Sequence, residues 1–269
     1  MFEKIKCFIL DMDGTIYLGN ELFPFTKDFL KKVEDTGREY YFFTNNSSKS
    51  QQAYIEKLGK LGIQIKKDQM MTSSHVIVKY LKEHYEGKSI YVLGTQSLIQ
   101  EFQYFDMNLT EEDPDIVVLG FDTTLTYEKL SKACHYIRNG CIYFGINPDW
   151  NCPMEGGTFI PDCGSMAKLI EASTGRFPEF FGKPSKHTLD YIIQETGYEP
   201  DEIAIVGDRL YTDIAVADQS DVTSILVLSG ESTREDVTTS DVKPNVILED
   251  LSEINQNVIR EKRYQMIHY

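Results

Sequence analysis

Residues 8–19 read FILDMDGTIYLG: an apolar run, then Asp11 and Asp13 one position apart, then a glycine. A short apolar stretch that runs straight into a polar loop is the pattern of a strand covered on both faces, the kind that parallel sheets contain. Two carboxylates at the mouth of such a strand are costly unless a cation or a shared proton compensates them. Which of these applies depends on what the rest of the chain brings to the same place.

The design recurs along the chain. Residues 38–48, REYYFFTNNSS, are an aromatic-rich strand followed by a small polar loop. Residues 48–62 follow with helical spacing of Ile55, Leu58 and Leu61, and Gly62 stands where a helix would end. Late in the chain, 185–197 read as a helix, 202–208 as a strand ending in Gly-Asp, 212–221 as a helix and 223–230 as another strand. Strands alternating with helices predict an α/β fold with a mostly parallel sheet and right-handed crossovers. Between these halves, SIYVLG (89–94), DIVVLGFD (115–122) and CIYFGINPD (141–149) read as strands, with helices over 95–105 and 127–140. Periodicity allows either one continuous sheet or a second small α/β domain. Residues 16–25, IYLGNELFPF, place two short extended pieces around Gly19-Asn20, a hairpin signal beside the acidic pair. The charged tail 255–269 is expected to be a terminal helix.

Composition narrows the function classes. The chain has 269 residues, 42 acids against 27 bases, and a formal charge of −15. Such a surface repels a phosphate backbone, which argues against nucleic acid and anionic membranes as partners. A small anionic substrate stays open, because a bound divalent cation reverses the local field. Five cysteines with no CxxC spacing are expected to be free thiols in a reducing cytoplasm. The apolar run before Asp11 is too short for a signal-peptide core, and no stretch approaches bilayer length. The expectation is a soluble, cytoplasmic protein.

Four loops at the ends of expected strands carry the chemistry: DMDGT (11–15), TNN (44–46), GKPS (182–185) and GDRLYTD (207–213). Open parallel sheets bind ligands beyond the carboxyl ends of their strands, so loops far apart in sequence can serve one site. Each loop alone has an ordinary explanation as a turn, a helix cap or a surface lysine; together they fit phosphoryl transfer. Asp11 is the expected nucleophile, since a carboxylate can attack phosphorus and split one hard displacement into two. Asp11 and Asp208, with the main-chain carbonyl of Asp13, are expected to hold Mg²⁺ through oxygen. Asp13 is placed to protonate the leaving group and then to activate water. The Thr44 hydroxyl and the amide of Asn45 are expected to grip phosphoryl oxygens, and Lys183 to supply fixed positive charge. Asp213 is expected one step back, orienting Lys183 or a water on the ion.

These four loops resemble the motifs of the haloacid-dehalogenase-like hydrolase superfamily. Over nearly the whole chain the resemblance is to its NagD-type, nitrophenylphosphatase-like members, on INPDW (146–150) and on 155–175 as well. The resemblance implies a Rossmann-like core over 1–79 and 180–269, with an inserted C2-type α/β cap over 80–179. It also implies a Mg²⁺-dependent phosphatase acting on a small phosphorylated metabolite through an aspartyl-phosphate, and it leaves a homodimer open. Two other readings share the phosphorylated aspartate. One is a phosphotransferase or phosphomutase; the other is a phospho-accepting signalling module. Carbon–halogen hydrolysis needs no metal, and Asp13 with Asp208 argues against it. The leaving group is read by loops free to vary, so the four motifs do not name the substrate.

Overall fold

A computed structural model describes residues 2–154 and 157–254; the tail helix expected over 255–269 lies outside the described residues. In chain order the first elements are β1 (Cys7–Leu10), β2 (Tyr17–Leu18), β3 (Glu21–Leu22), α1 (Thr26–Asp35) and β4 (Glu39–Thr44). Next come α2 (Gln51–Lys60), β5 (Met70–Thr72), α3 (Ser73–His84), β6 (Ile90–Leu93), α4 (Gln96–Tyr104) and β7 (Ile116–Leu119). They are followed by α5 (Tyr127–Arg138), β8 (Ile142–Gly145), β9 (Asn151–Met154), β10 (Thr158–Pro161), α6 (Cys163–Thr174) and β11 (Glu179–Phe180). The last are α7 (Lys186–Thr196), β12 (Ile203–Gly207), β13 (Thr223–Val227), α8 (Arg234–Thr239) and β14 (Val246–Leu248).

The chain divides into two compact units. The first holds Met1–Phe43, Leu58–Met70 and Leu189–Tyr269; the second holds Thr44–Lys57 and Met71–Thr188.

In the sheet of the first unit the strands run in the order β14-β13-β12-β1-β4. β1 lies inside it, parallel to β12 on one side and to β4 on the other, with Leu10 opposite both Val206 and Phe42. All four residues of β1 are buried, which is why CFIL is apolar without alternation. Helix α1 buries Phe29, Leu30 and Val33, which share one face at helical spacing. The Phe29 ring meets Phe8 edge-on at a centroid distance of 5.7 Å. The expected hairpin is present: β2 and β3 pair antiparallel, Leu18 opposite Glu21, around Gly19 at φ +59°.

The second unit has its own parallel sheet, in the order β11-β8-β7-β6. The strands of 89–149 therefore build a separate sheet rather than extending the first. IYVL of β6 and IVVL of β7 are wholly buried. Leu93 and Leu119 share a core cluster with Ala133 and Ile137 of α5 and with Ala167 and Ile170 of α6. Helix α6 starts where the Asp162 side chain accepts the Cys163 N–H, and it stops at Gly175 in the left-handed conformation, whose N–H returns to the Glu171 carbonyl at 2.7 Å.

One expected element is different. Residues 212–221 do not form an α-helix: Leu210–Ile214 make a π-helical turn and Ala215–Ala217 a 3₁₀ turn. In this turn the Asp213 carboxylate folds back to accept the Arg209 N–H at 3.1 Å. Among the described residues no helix is long and apolar enough to cross a membrane, and all five cysteines are free thiols.

Removing the central ring of the first unit should be costly. Phe8→Ala is expected to lower unfolding free energy by about 3–5 kcal/mol in a urea titration. Leu18→Ala, at a side chain 55% exposed on the hairpin, should change it by no more than about 0.5 kcal/mol. Equal effects of the two would contradict the packing described.

Candidate active site

The first unit gathers three of the expected acids. Asp11, Asp208 and Asp213 each offer a carboxylate oxygen, and these oxygens lie within 4.8 Å of one another. Sheet register is the reason. The Asp11 N–H donates to the Val206 carbonyl at 2.8 Å, continuing the pairing of β1 with β12, so Asp11 and Asp208 leave neighbouring strand ends. Asp213 arrives from the π turn, and it can do so because residue 207 is glycine: a Cβ there would sit 2.2 Å from the Asp213 carboxyl carbon.

Asp208 is only 2% exposed. Its Oδ2 accepts the Glu231 N–H at 2.7 Å, whereas its Oδ1 is buried with no hydrogen-bond partner. The backbone closes tightly around this group. A Cβ on Gly14 would fall 2.4 Å from Asp208 Oδ2, and Gly14 itself is at φ +83°; a Cβ on Gly230 would fall 2.0 Å from it. Burial, then the neighbouring Asp11 and Asp213, push the Asp208 carboxyl well above the usual carboxylate range. A buried, orphaned carboxylate oxygen among hard oxygen donors is the surrounding that a small divalent cation fits.

Asp13 sits half-buried at the head of a turn in which the Gly14 N–H donates to the Tyr17 carbonyl at 2.8 Å and the Ile16 N–H to the Met12 carbonyl at 2.9 Å. The Ser229 hydroxyl donates to the Gly14 carbonyl at 2.7 Å. Asp213, expected one step back, stands in the carboxylate cluster itself. The expected part of Asp13 there was its main-chain carbonyl.

The second unit gathers the other three expected residues. Thr44, Asn45 and Lys183 are all buried. The Asn46 N–H donates to the Thr44 hydroxyl at 3.2 Å, which leaves that hydroxyl its own proton to donate. The Asn45 side chain clasps the main chain of Lys183: its Nδ2 donates to the Lys183 carbonyl at 2.9 Å, and its Oδ1 accepts the Lys183 N–H at 2.8 Å. The Asn45 side-chain amide is thus committed, and the group it leaves for a ligand is its main-chain N–H. Gly182 makes the clasp possible, since a Cβ there would lie 2.7 Å from Asn45 Oδ1.

Sequence reading missed the supports of this second group. The Ser73 hydroxyl donates to the Asn45 carbonyl at 2.8 Å. Asp149 Oδ2 accepts Asn45 Nδ2 at 2.9 Å, and the Ser47 hydroxyl donates to Asn147 at 2.8 Å. The signal available for them was the run Asn147-Pro148-Asp149 directly after a strand. Trp150, next in the chain, is 49% exposed and so outside the core. His75 is buried against Glu101 at 2.9 Å, and Glu101 also accepts the Gln51 N–H at the start of α2.

Comparison with known proteins places the chain in a family. The signature of the family described as haloacid dehalogenase-like hydrolase matches residues 8–108, and that described as HAD-hydrolase-like matches 180–254. An acid sugar phosphatase of Staphylococcus aureus (strain MRSA252) is 33% identical over 252 residues, covering 93% of this chain and 97% of the relative. The crystal structure of 4-nitrophenylphosphatase from Thermotoga maritima superposes with a TM-score of 0.91 at 41% identity, covering 95% of this chain and 98% of that one. NagD from E. coli K-12 gives 0.84 at 30% identity over 93% and 98% of the two chains. With its acid cluster on β1 and β12 and its matches running nearly end to end, this chain belongs to the haloacid-dehalogenase-like hydrolases, in the group of NagD and the 4-nitrophenylphosphatases.

Proposed function

We propose that the protein is a Mg²⁺-dependent phosphatase of small organic phosphate monoesters that works through an aspartyl-phosphate on Asp11. One observation carries the reading: the cluster of half-buried Asp11 with buried Asp208 and Asp213, and an unpartnered oxygen on Asp208. The names of its relatives, acid sugar phosphatase and 4-nitrophenylphosphatase, support a phosphate ester as substrate and favour sugar phosphates among them.

In this reading an Asp11 carboxylate oxygen attacks phosphorus and the ester P–O bond breaks. Asp13 gives its proton to the departing oxygen. Asp13, now a base, takes a proton from the water that attacks the phosphorylated Asp11, and inorganic phosphate leaves with Asp11 restored. The Thr44 hydroxyl and the Asn45 N–H hold phosphoryl oxygens, and Lys183 offsets the charge that builds on them. Asp11, Asp208 and the Asp13 carbonyl, with Asp213 beside them, would hold Mg²⁺, whose charge lets an anionic carboxylate approach an anionic ester. The β2–β3 hairpin next to Asp13 would help enclose the ester. We place the boundaries of a leaving-group-reading cap near residues 80 and 179, and closure of that cap would gate turnover. The five free thiols fit a reducing compartment such as the cytoplasm.

Release of inorganic phosphate from a panel of esters, with Mg²⁺ and with EDTA, tests the reaction. Asp11→Asn is expected to lower kcat by about a thousandfold or more, and EDTA to abolish turnover until Mg²⁺ is restored. Full activity in EDTA would overturn the metal's place.

The cluster also predicts a pH dependence of stability without metal. Because the Asp208 carboxyl is raised in the folded state, the folded protein binds its proton more tightly than the unfolded chain does. Its contribution is therefore present below the unfolded value of about 3.9 and is lost as pH rises through the folded value. In EDTA the thermal midpoint should fall from acid toward neutral pH, and Asp208→Asn should remove part of that fall. Added Mg²⁺ should raise the midpoint most at neutral pH. A midpoint indifferent to both would contradict the account.

A further inference from the structure

The second unit contains a chain of buried polar groups whose hydrogen-bond directions are fixed by chemistry. Lys183 presents a main-chain N–H, which can only donate, and a main-chain carbonyl, which can only accept. Asn45 must therefore turn Oδ1 toward the first and Nδ2 toward the second, as it does at 2.8 and 2.9 Å. Its remaining Nδ2 hydrogen needs an acceptor, and Asp149 Oδ2 supplies it at 2.9 Å. The same oxygen accepts Asn147 Nδ2 at 2.9 Å, and the other Asn147 hydrogen goes to Asp162 Oδ1 at 3.0 Å. Asn147 Oδ1 then takes the Ser47 hydroxyl at 2.8 Å, and Ser47 Oγ takes the Phe121 N–H at 2.8 Å. Asn147 and Ser47 are fully buried, and Asp149 is 4% exposed.

Asp149 is the hinge-pin of this chain, since an ionised carboxylate is acceptor-only and one of its oxygens serves two amide donors. We propose that Asp149 is a positioning residue for phosphate transfer: by holding Asn45 it locks the main chain of Lys183 against the loop that follows Thr44. The inference rests on the reading of Thr44 and Lys183 as phosphate-binding groups. It adds a residue 34 positions before Lys183 and 104 after Asn45 that touches neither phosphate nor metal in that reading. The physical reason for its effect is the cost of leaving buried amide donors without an acceptor. With Asp149 replaced by an apolar side chain, Asn45 loses the acceptor that holds it at 2.9 Å and is free to shift. Movement of Asn45 moves Lys183 with it, and displacements of about an ångström in such groups cost up to about a hundredfold in rate.

The experiment is a double-mutant cycle between Asp149→Leu and Lys183→Ala, read by kcat for 4-nitrophenyl phosphate and by the inhibition constant for inorganic phosphate. The proposal expects Asp149→Leu alone to lower kcat about 10- to 100-fold and to weaken phosphate inhibition. In the Lys183→Ala background the same substitution should lower kcat less than about threefold, because the group it positions is already gone. Asp149→Asn, which can turn its carbonyl oxygen toward the two donors, should recover much of the loss. An equal loss in both backgrounds would assign Asp149 to stability alone and overturn the proposal, as would no loss at all. If Asp149→Leu does not fold, Asn45→Ala reads the same link: Asp149→Asn placed on it should then be silent, and a further loss overturns the proposal. If Lys183→Ala itself leaves kcat and phosphate inhibition unchanged, the assignment of Lys183 fails, and the inference falls with it for that separate reason.

Discussion

Three carboxylates held within 4.8 Å of one another, two at the ends of buried parallel strands and one on the turn that follows, constrain the structure around them more than any other feature. Like charges this close cannot all stay ionised in buried surroundings without a counter-charge. The fold nevertheless builds the arrangement with care. Glycines at 14, 207 and 230 let backbone and carboxylate approach where any Cβ would collide. A π-helical turn brings Asp213 in. The Glu231 N–H satisfies one oxygen of Asp208 and leaves the other unmet. A buried carboxylate oxygen left without a partner separates this site from an ordinary structural ion pair.

The second unit solves a different problem. Its phosphate-reading candidates, Thr44 and Lys183, are buried, and a buried lysine needs its main chain held to one geometry if its charge is to be useful. That geometry comes from neutral amides arranged donor to acceptor, anchored on the carboxylates of Asp149 and Asp162. Networks of this kind are either fully satisfied or harmful, and this one is satisfied along its length.

Much of this was legible in the sequence because the signals are local. CFIL, IYVL and IVVL have the uninterrupted apolar character of strands covered on both faces, and Gly19-Asn20 marks the hairpin. Asp11, Asp208 and Asp213 came from strand-end loops, and the structure does bring them together. What periodicity could not decide was whether 89–149 joined the first sheet, because sheet membership is set by long-range pairing. The stretch 212–221 has helical composition, yet the chain there forms a π and a 3₁₀ turn. Ser73 was hidden for the same reason as sheet membership, since it acts on Asn45, 28 residues away. Asp149 lay in the quoted stretch INPDW, but its partner Asn45 is 104 residues away, so the stretch could not show what Asp149 holds.

The central claim is that Asp11 becomes covalently phosphorylated. Rapid acid quench of the enzyme during turnover of 4-nitrophenyl phosphate, followed by peptide mass mapping, tests it directly. The account predicts a phosphoryl group on the peptide carrying Asp11, more of it when Asp13→Asn slows hydrolysis, and none in Asp11→Asn. Phosphate released by a competent enzyme with no phosphorylated peptide, or with the group on Asp208 instead, would contradict it.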